Sequence, residues 1–276
     1  MGSGSLFSAE PHSESSSLHA VRAHARLVAV RDPHGSTRWT CLQNDPPLTF
    51  RNTPQGLMCV STAAGPLGGD SLCVEATIGP GAYASIGSTG ATLVLPGQWG
   101  EPSSYLLALD VGPGATLRWA PEPTVIAKGA QHRMATRLTL ADNCNVVLVD
   151  EMVLGRHGEQ PGTCAQRIDV VRGDRPILRN GFVVGAPGWN GPAGIGTARG
   201  VAQVLLIGAP AQHWLSSHGG ATAIGGHAED CRWSASTLVD GSILLTGISP
   251  GIEPLRNWVK WVTGPANEAR NCAAWV

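Results

Sequence analysis

Short runs of period-two hydrophobicity, each cut off by glycine or proline, constrain this chain more than any other feature. Between Val21 and Ala29 the odd positions are Val21, Ala23, Ala25, Leu27 and Ala29, while Arg22, His24 and Arg26 take even ones. That alternation is the mark of a half-buried strand. Similar runs fall at 57–63, 72–78, 82–94, 104–111, 115–120, 131–140, 144–154, 164–171, 201–207, 233–239 and 242–248. With 36 glycines and 20 prolines to supply the turns, so many short strands predict an all-β fold.

A weak internal repeat refines this expectation. TIGPGAYASI (77–86), DVGPGATLRW (110–119), TLADNCNVVL (139–148) and LVDGSILLTG (238–247) each read as strand, turn, strand, and the first three recur about every 30 residues. Units of that length bury a shared face only by stacking on their neighbours. The expected architecture is therefore an elongated stack of layered, β-helix-like sheets with one or two short helices. One helix is placed at about 252–262, where Ile252, Leu255, Trp258, Val259 and Val262 keep helical spacing after Pro250. GAPGWNGPAGIGTARG (185–200) is too rich in glycine and proline for a regular element and reads as a long loop. The polar, serine-rich residues 1–17 read as a disordered leader, and 18–276 as a single β domain.

Composition narrows the function. Nineteen Lys and Arg against twenty Asp and Glu give no global attraction for nucleic acid or an anionic membrane. No run approaches the roughly 18 apolar residues that span a bilayer, and no secretory signal pattern opens the chain. Seven scattered cysteines without a C-x-x-C pair suit reduced thiols, and the expected compartment is the cytoplasm.

Catalytic constellations find no foothold. A P-loop is missing, GPAGIG (191–196) has the wrong glycine spacing for a dinucleotide fingerprint, and no G-x-S-x-G elbow occurs. His213 with His218, and His227 with Cys231, lie close in sequence but in loop-like context, so no permanent metal site is expected. Five acids stand out beside apolar strands or turn glycines: Asp70, Glu122, Asp150, Glu151 and Glu159. Burying a carboxylate is costly unless it is paired or hydrated. These acids are thus either structural, as an Arg156–Glu159 ion pair across a turn would be, or the edge of a wet interior channel.

STAAGPLGGDSL (61–72), GPGAYASIGSTGATLV (79–94), WAPEPTVIAKGA (119–130) and EMVLGRHGE (151–159), in that order, resemble the signature series of the urease accessory protein D family, UreD (UreH in some species). The family's A-G-x-L-G-G-D element matches Gly65, Leu67, Gly68, Gly69 and Asp70. Its P-x-P element falls on Pro121 and Pro123, and its L-G-R-x-x-G-E element on Leu154, Gly155, Arg156, Gly158 and Glu159. Departures are STGATLVLPGQW in place of a tyrosine-bearing stretch, and Ala127 where a phenylalanine is common. The resemblance implies a layered all-β accessory protein without catalytic activity or a permanently bound cofactor. It also implies binding to UreF, which recruits the GTPase UreG, docking of the assembly on apo-urease, and transient passage of nickel through a water-filled tunnel. On that reading the five acids are candidates for the nickel path; Trp258 and Trp261 of the C-terminal helix are candidates either for partner contact or, equally, for core packing. The alternative is a β-solenoid interaction module with no metal role.

Overall fold

A computed structural model describes residues 20–191, 194–219, 223–228 and 230–264; the leader expected at 1–17 lies outside them. Its two sheets face one another. The first has seven strands, in the order β14 (Arg175–Val184), β13 (Thr163–Arg172), β11 (Gln131–Leu140), β8 (Ser103–Val111), β5 (Ser71–Ile78), β1 (Arg22–Arg31) and β2 (Thr37–Gln43). The main path of the second, eleven-stranded sheet is β16 (Ala223–Ala228), β17 (Cys231–Thr237), β18 (Ile243–Ser249), β15 (Gly200–Ile207), β12 (Asn145–Leu154), β9 (Thr116–Trp119), β6 (Tyr83–Ser88), β4 (Gly56–Ser61) and β3 (Leu48–Thr53). Off this path, β7 (Thr92–Val94) pairs with β10 (Thr124–Ile126), which pairs with β12.

The centre of both sheets is parallel. β1, β5, β8, β11 and β13 run side by side in one layer, and β4, β6, β9 and β12 in the other. The chain coils between the layers, so this is the all-β stack of β-solenoid-like rungs that the repeat predicts. Its first three copies are the corners where β5 passes to β6, β8 to β9 and β11 to β12. They stack through main-chain bonds: Gly81 N–H donates to the Pro113 carbonyl at 2.9 Å, and Gly114 N–H to that of Asp142 at 3.2 Å. The fourth copy is instead the turn of the antiparallel β17–β18 hairpin, closed by Leu238 N–H on the Ser242 carbonyl at 2.7 Å.

Small and branched side chains fill the space between layers. Ala23, Ala25, Leu27 and Ala29 of β1 lie within 3% of full burial, as their alternation requires. They join Ile78, Leu109, Leu117, Leu138, Leu140 and Val146 in one cluster. A second cluster covers the outer face of the eleven-stranded sheet, where α2 (Ile252–Thr263) packs Leu255, Trp258, Val259 and Val262 over β15 and β18. All eight residues of β15 are buried, because both of its faces are covered.

Several elements escape the alternation rule. β2 is an edge strand whose residues are all exposed or half-buried, so it carries no apolar face to read. Helix α1 (Ala209–Ser217) buries only Ala211 and Trp214. The run 82–94 is two strands, β6 and β7, separated at 89–91; that break shapes the site described next.

Candidate functional site: an acid-edged cavity between the sheets

Strand β12 is ten residues long, but its parallel partners cover it only at the ends. Asn145–Leu148 pair with β9, and Met152–Leu154 with β10. Val149, Asp150 and Glu151 have no partner on that side and pair only with Val204, Gln203 and Ala202 of β15 on the other. The missing stretch is Ala120–Pro123, where Pro121 and Pro123 lack the N–H that a ladder needs. Its remaining amides are satisfied sideways: Ala120 N–H donates to the Ile86 carbonyl at 2.9 Å, and Glu122 N–H to Ser88 Oγ at 2.9 Å. The result is a gap in the eleven-stranded sheet.

A cavity of about 180 Å³ lies behind the gap. Its walls are Leu72, Tyr105, Leu107, His132 and Met134 of the seven-stranded sheet, and Cys59, Gly87, Trp119, Leu148 and Asp150 of the other. The exposed turns 61–64 and 89–91 rim its mouth, while Glu122 and Glu151 line it at the gap. Such a volume is roughly ten times what one water requires. Gln166, which donates to Asp150, and Gln203, which pairs with Asp150 from β15, each leave a buried Oε1 without a protein partner.

The two neighbouring acids of β12 point to opposite faces, as consecutive strand residues must. Asp150 follows Leu148 into the space between the sheets, where Gln166 Nε2 donates to its Oδ2. Burial raises its pKa against that hydrogen bond. Glu151 follows Val147 and Val149 toward α2 and is 6% exposed. Its Oε2 has no hydrogen-bond partner, and burial pushes its pKa up to about 7. Arg256 and Lys260 of α2 counter that rise, whereas Glu122 and Asp150 add to it. Near neutral pH Glu151 is therefore divided between acid and carboxylate.

Other polar groups of the cavity stay neutral. His132 Nδ1 lies 2.8 Å from Ser103 Oγ, and burial lowers the ring's pKa to about 4. Burial likewise lifts the Cys59 thiol to about 11 and the Tyr105 phenol above its ordinary range. At neutral pH these three groups therefore add no charge to the cavity.

Of the five acids singled out in the sequence, the structure brings three to this place and leaves two elsewhere. Glu122, Asp150 and Glu151 line the cavity. Asp70 does not: its Oδ1 accepts the Val21 N–H and its Oδ2 the Leu67 N–H, both at 2.8 Å, and it is 6% exposed. It staples the start of β1 to the turn before β5. The turn's glycines serve close approach, for a Cβ at Gly68 would stand 2.4 Å from the Gly97 nitrogen. Glu159 sits on an exposed turn, receiving Arg156 Nε at 2.7 Å, and this contact with Arg156 holds its carboxyl down to about 2. Gly155 makes that turn with φ of 80°, in the left-handed region. Trp258 is 1% exposed in the core against Gly247, whereas Trp261 is 49% exposed. Sequence reasoning missed His132, Gln166 and Gln203; the readable signal was the DE pair inside VVLVDEMVL, which puts a charge on each face of a strand otherwise apolar on both.

A two-layer β-solenoid with a largely apolar cavity that reaches an acid-edged opening in one sheet is the class of protein these features define. The chain matches the UreD urease accessory protein family over residues 21–272 and belongs to that family. It is 39% identical over 195 residues to the urease accessory protein UreD of Streptomyces avermitilis, covering 68% of this chain and 77% of that one. It is 41% identical over 198 residues to UreD 3 of Streptomyces griseus subsp. griseus, covering 68% and 77%. To UreD 2 of Saccharopolyspora erythraea it is 32% identical over 244 residues, covering 86% and 85%. Among the described residues no helix is long and apolar enough to cross a membrane.

Proposed function

We propose that this urease accessory protein acts without catalysis of its own, as a scaffold that guides nickel through the cavity between its sheets toward apo-urease. On this reading it works in the cytoplasm, in an assembly with UreF and UreG. The observation that supports it is the pair Asp150 and Glu151, set on opposite faces of β12 where the sheet is open. A conduit needs oxygen ligands that hold a divalent ion weakly enough to release it, which carboxylates do better than a closed cage of Cys and His. Glu151 suits that role, being buried, lacking a partner at Oε2 and half-ionised near pH 7. An arriving cation stabilises its carboxylate and displaces a proton to water, and release of the ion restores the acid.

The test is complementation of a urease gene cluster from which the resident UreD-type gene is removed. Wild-type protein is expected to restore nickel-loaded urease. The double variant Asp150→Asn, Glu151→Gln is expected to remain folded and to pull down UreF while nickel per urease falls. Full loading by the double variant would overturn the conduit and leave an interaction module.

A further inference from the structure

We propose a second divalent-ion site on the outer face of the seven-stranded sheet, built from His24, Cys73 and Glu75 and suited to a borderline ion such as Ni²⁺ or Zn²⁺. β1 and β5 run parallel in a register that sets His24 opposite Cys73 and Arg26 opposite Glu75. The neighbours of these residues, Ala23, Ala25, Leu72, Val74 and Ala76, are buried between the layers. Alternation therefore turns all three donors outward, away from the cavity. His24 Nε2 lies 3.3 Å from Glu75 Oε2, and the imidazole nitrogen, thiol sulfur and carboxylate oxygen all lie within 4.8 Å of one another. An ion bound at about 2.0–2.3 Å from each donor is reached by small side-chain rotations, which the half-exposed His24 and Glu75 side chains are free to make.

The backbone beneath is fixed. His24 N–H donates to Asp45 Oδ2 at 2.7 Å, and the β1–β5 ladder holds eight residue pairs. One nitrogen, one sulfur and one oxygen select the borderline metals over magnesium or calcium. Three protein ligands leave a coordination position open to solvent, the form of an exchangeable site and not of a structural one. Burial and the nearby Glu75 raise the Cys73 thiol while Arg137 lowers it, so the free site holds a thiol. Metal binding forms the metal–sulfur bond as the S–H proton passes to water.

This site does not rest on the conduit, since the two lie on opposite faces of the seven-stranded sheet. The experiment is equilibrium dialysis of the purified full chain against NiCl₂ or ZnCl₂ alone. It compares wild type with His24→Ala, Cys73→Ala, Glu75→Gln, a Cys41→Ala control and the Asp150→Asn, Glu151→Gln double variant. Each outer-face substitution is expected to weaken one ion equivalent at least about tenfold, the low end of what losing even an outer-shell partner costs. The control and the double variant retain that equivalent. With nickel, an ultraviolet thiolate-to-metal charge-transfer band is expected and disappears in Cys73→Ala. Equal binding by wild type and Cys73→Ala, or no such equivalent in wild type, overturns the site whatever the double variant does to urease.

Discussion

Arg256 grips Glu122 through both terminal nitrogens, at 2.6 and 2.7 Å, fastening α2 to the proline-flanked rim of the gap in the eleven-stranded sheet. The pair is about one-third exposed at each partner, so solvent screening keeps its worth near about 1 kcal/mol despite the bidentate geometry. Arg256→Ala is therefore expected to lower the melting temperature by only about 2–4 °C. Because Arg256 also favours the charged form of Glu151, the same variant raises the Glu151 pKa further, which titration of the labelled carboxyl by NMR reads directly.

Glu151 makes stability depend on pH in an unusual direction. Its folded pKa of about 7 stands above the 4.5 of an unburied glutamate. Between those values the folded chain holds a proton that the unfolded chain has lost. This group's contribution therefore falls as pH rises through the window from 4.5 to 7. Glu151→Gln removes the cost of charging the buried acid, and is expected to gain on the order of 1–3 kcal/mol over wild type at pH 8, with little gain at pH 4.5. Urea denaturation at the two pH values checks it.

Asp70 is a staple of main chain, and its loss is expected to be structural. Asp70→Ala leaves the Val21 and Leu67 amides without their acceptor in a part-buried turn, a cost of about 1 kcal/mol. Denaturant midpoints should shift accordingly, while nickel content of urease matured by the surviving folded protein stays at the wild-type level.

Trp258 and Trp261, one turn apart on α2, are expected to separate cleanly. Trp258→Ala empties a buried site against Gly247 and should cost about 3–5 kcal/mol. Trp261, half-exposed at the edge of an aromatic group with His218 and Trp233, should lose only those ring contacts on alanine substitution, about 1–2 kcal/mol. A pull-down of UreF with Trp261→Ala, beside a melting curve showing that the variant stays folded, then reports on contact.

The solenoid was legible because its rungs repeat: the GPG-type corners announce where each strand leaves one layer for the other. β1 was legible because Ala23 to Ala29 alternate without a lapse. β2 was not, since an edge strand with no buried residue writes no apolar pattern. Nor was α1, which buries two residues of nine. The cavity was half visible. Acids beside apolar strands or turn glycines mark places where charge meets the fold, yet Asp70 and Glu159 carry the same mark and spend their oxygens on local amides and Arg156. Only three-dimensional pairing separates the two kinds, because the gap arises where the stretch between β9 and β10 leaves an unbroken β12 unpaired.

The proposed conduit can be tested without touching an acid. Thr92 lines the cavity beside its mouth, on the inward face it shares with buried Val94. Thr92→Trp fills that entrance with a side chain of about 150–250 Å² of surface while Asp150, Glu151 and Glu122 keep their places. The decisive measurement is nickel per active site in urease matured with Thr92→Trp as the sole UreD-type protein, beside a pull-down showing that UreF is still bound. The account predicts an intact assembly delivering urease that is largely nickel-free; an intact assembly delivering fully loaded urease would contradict it.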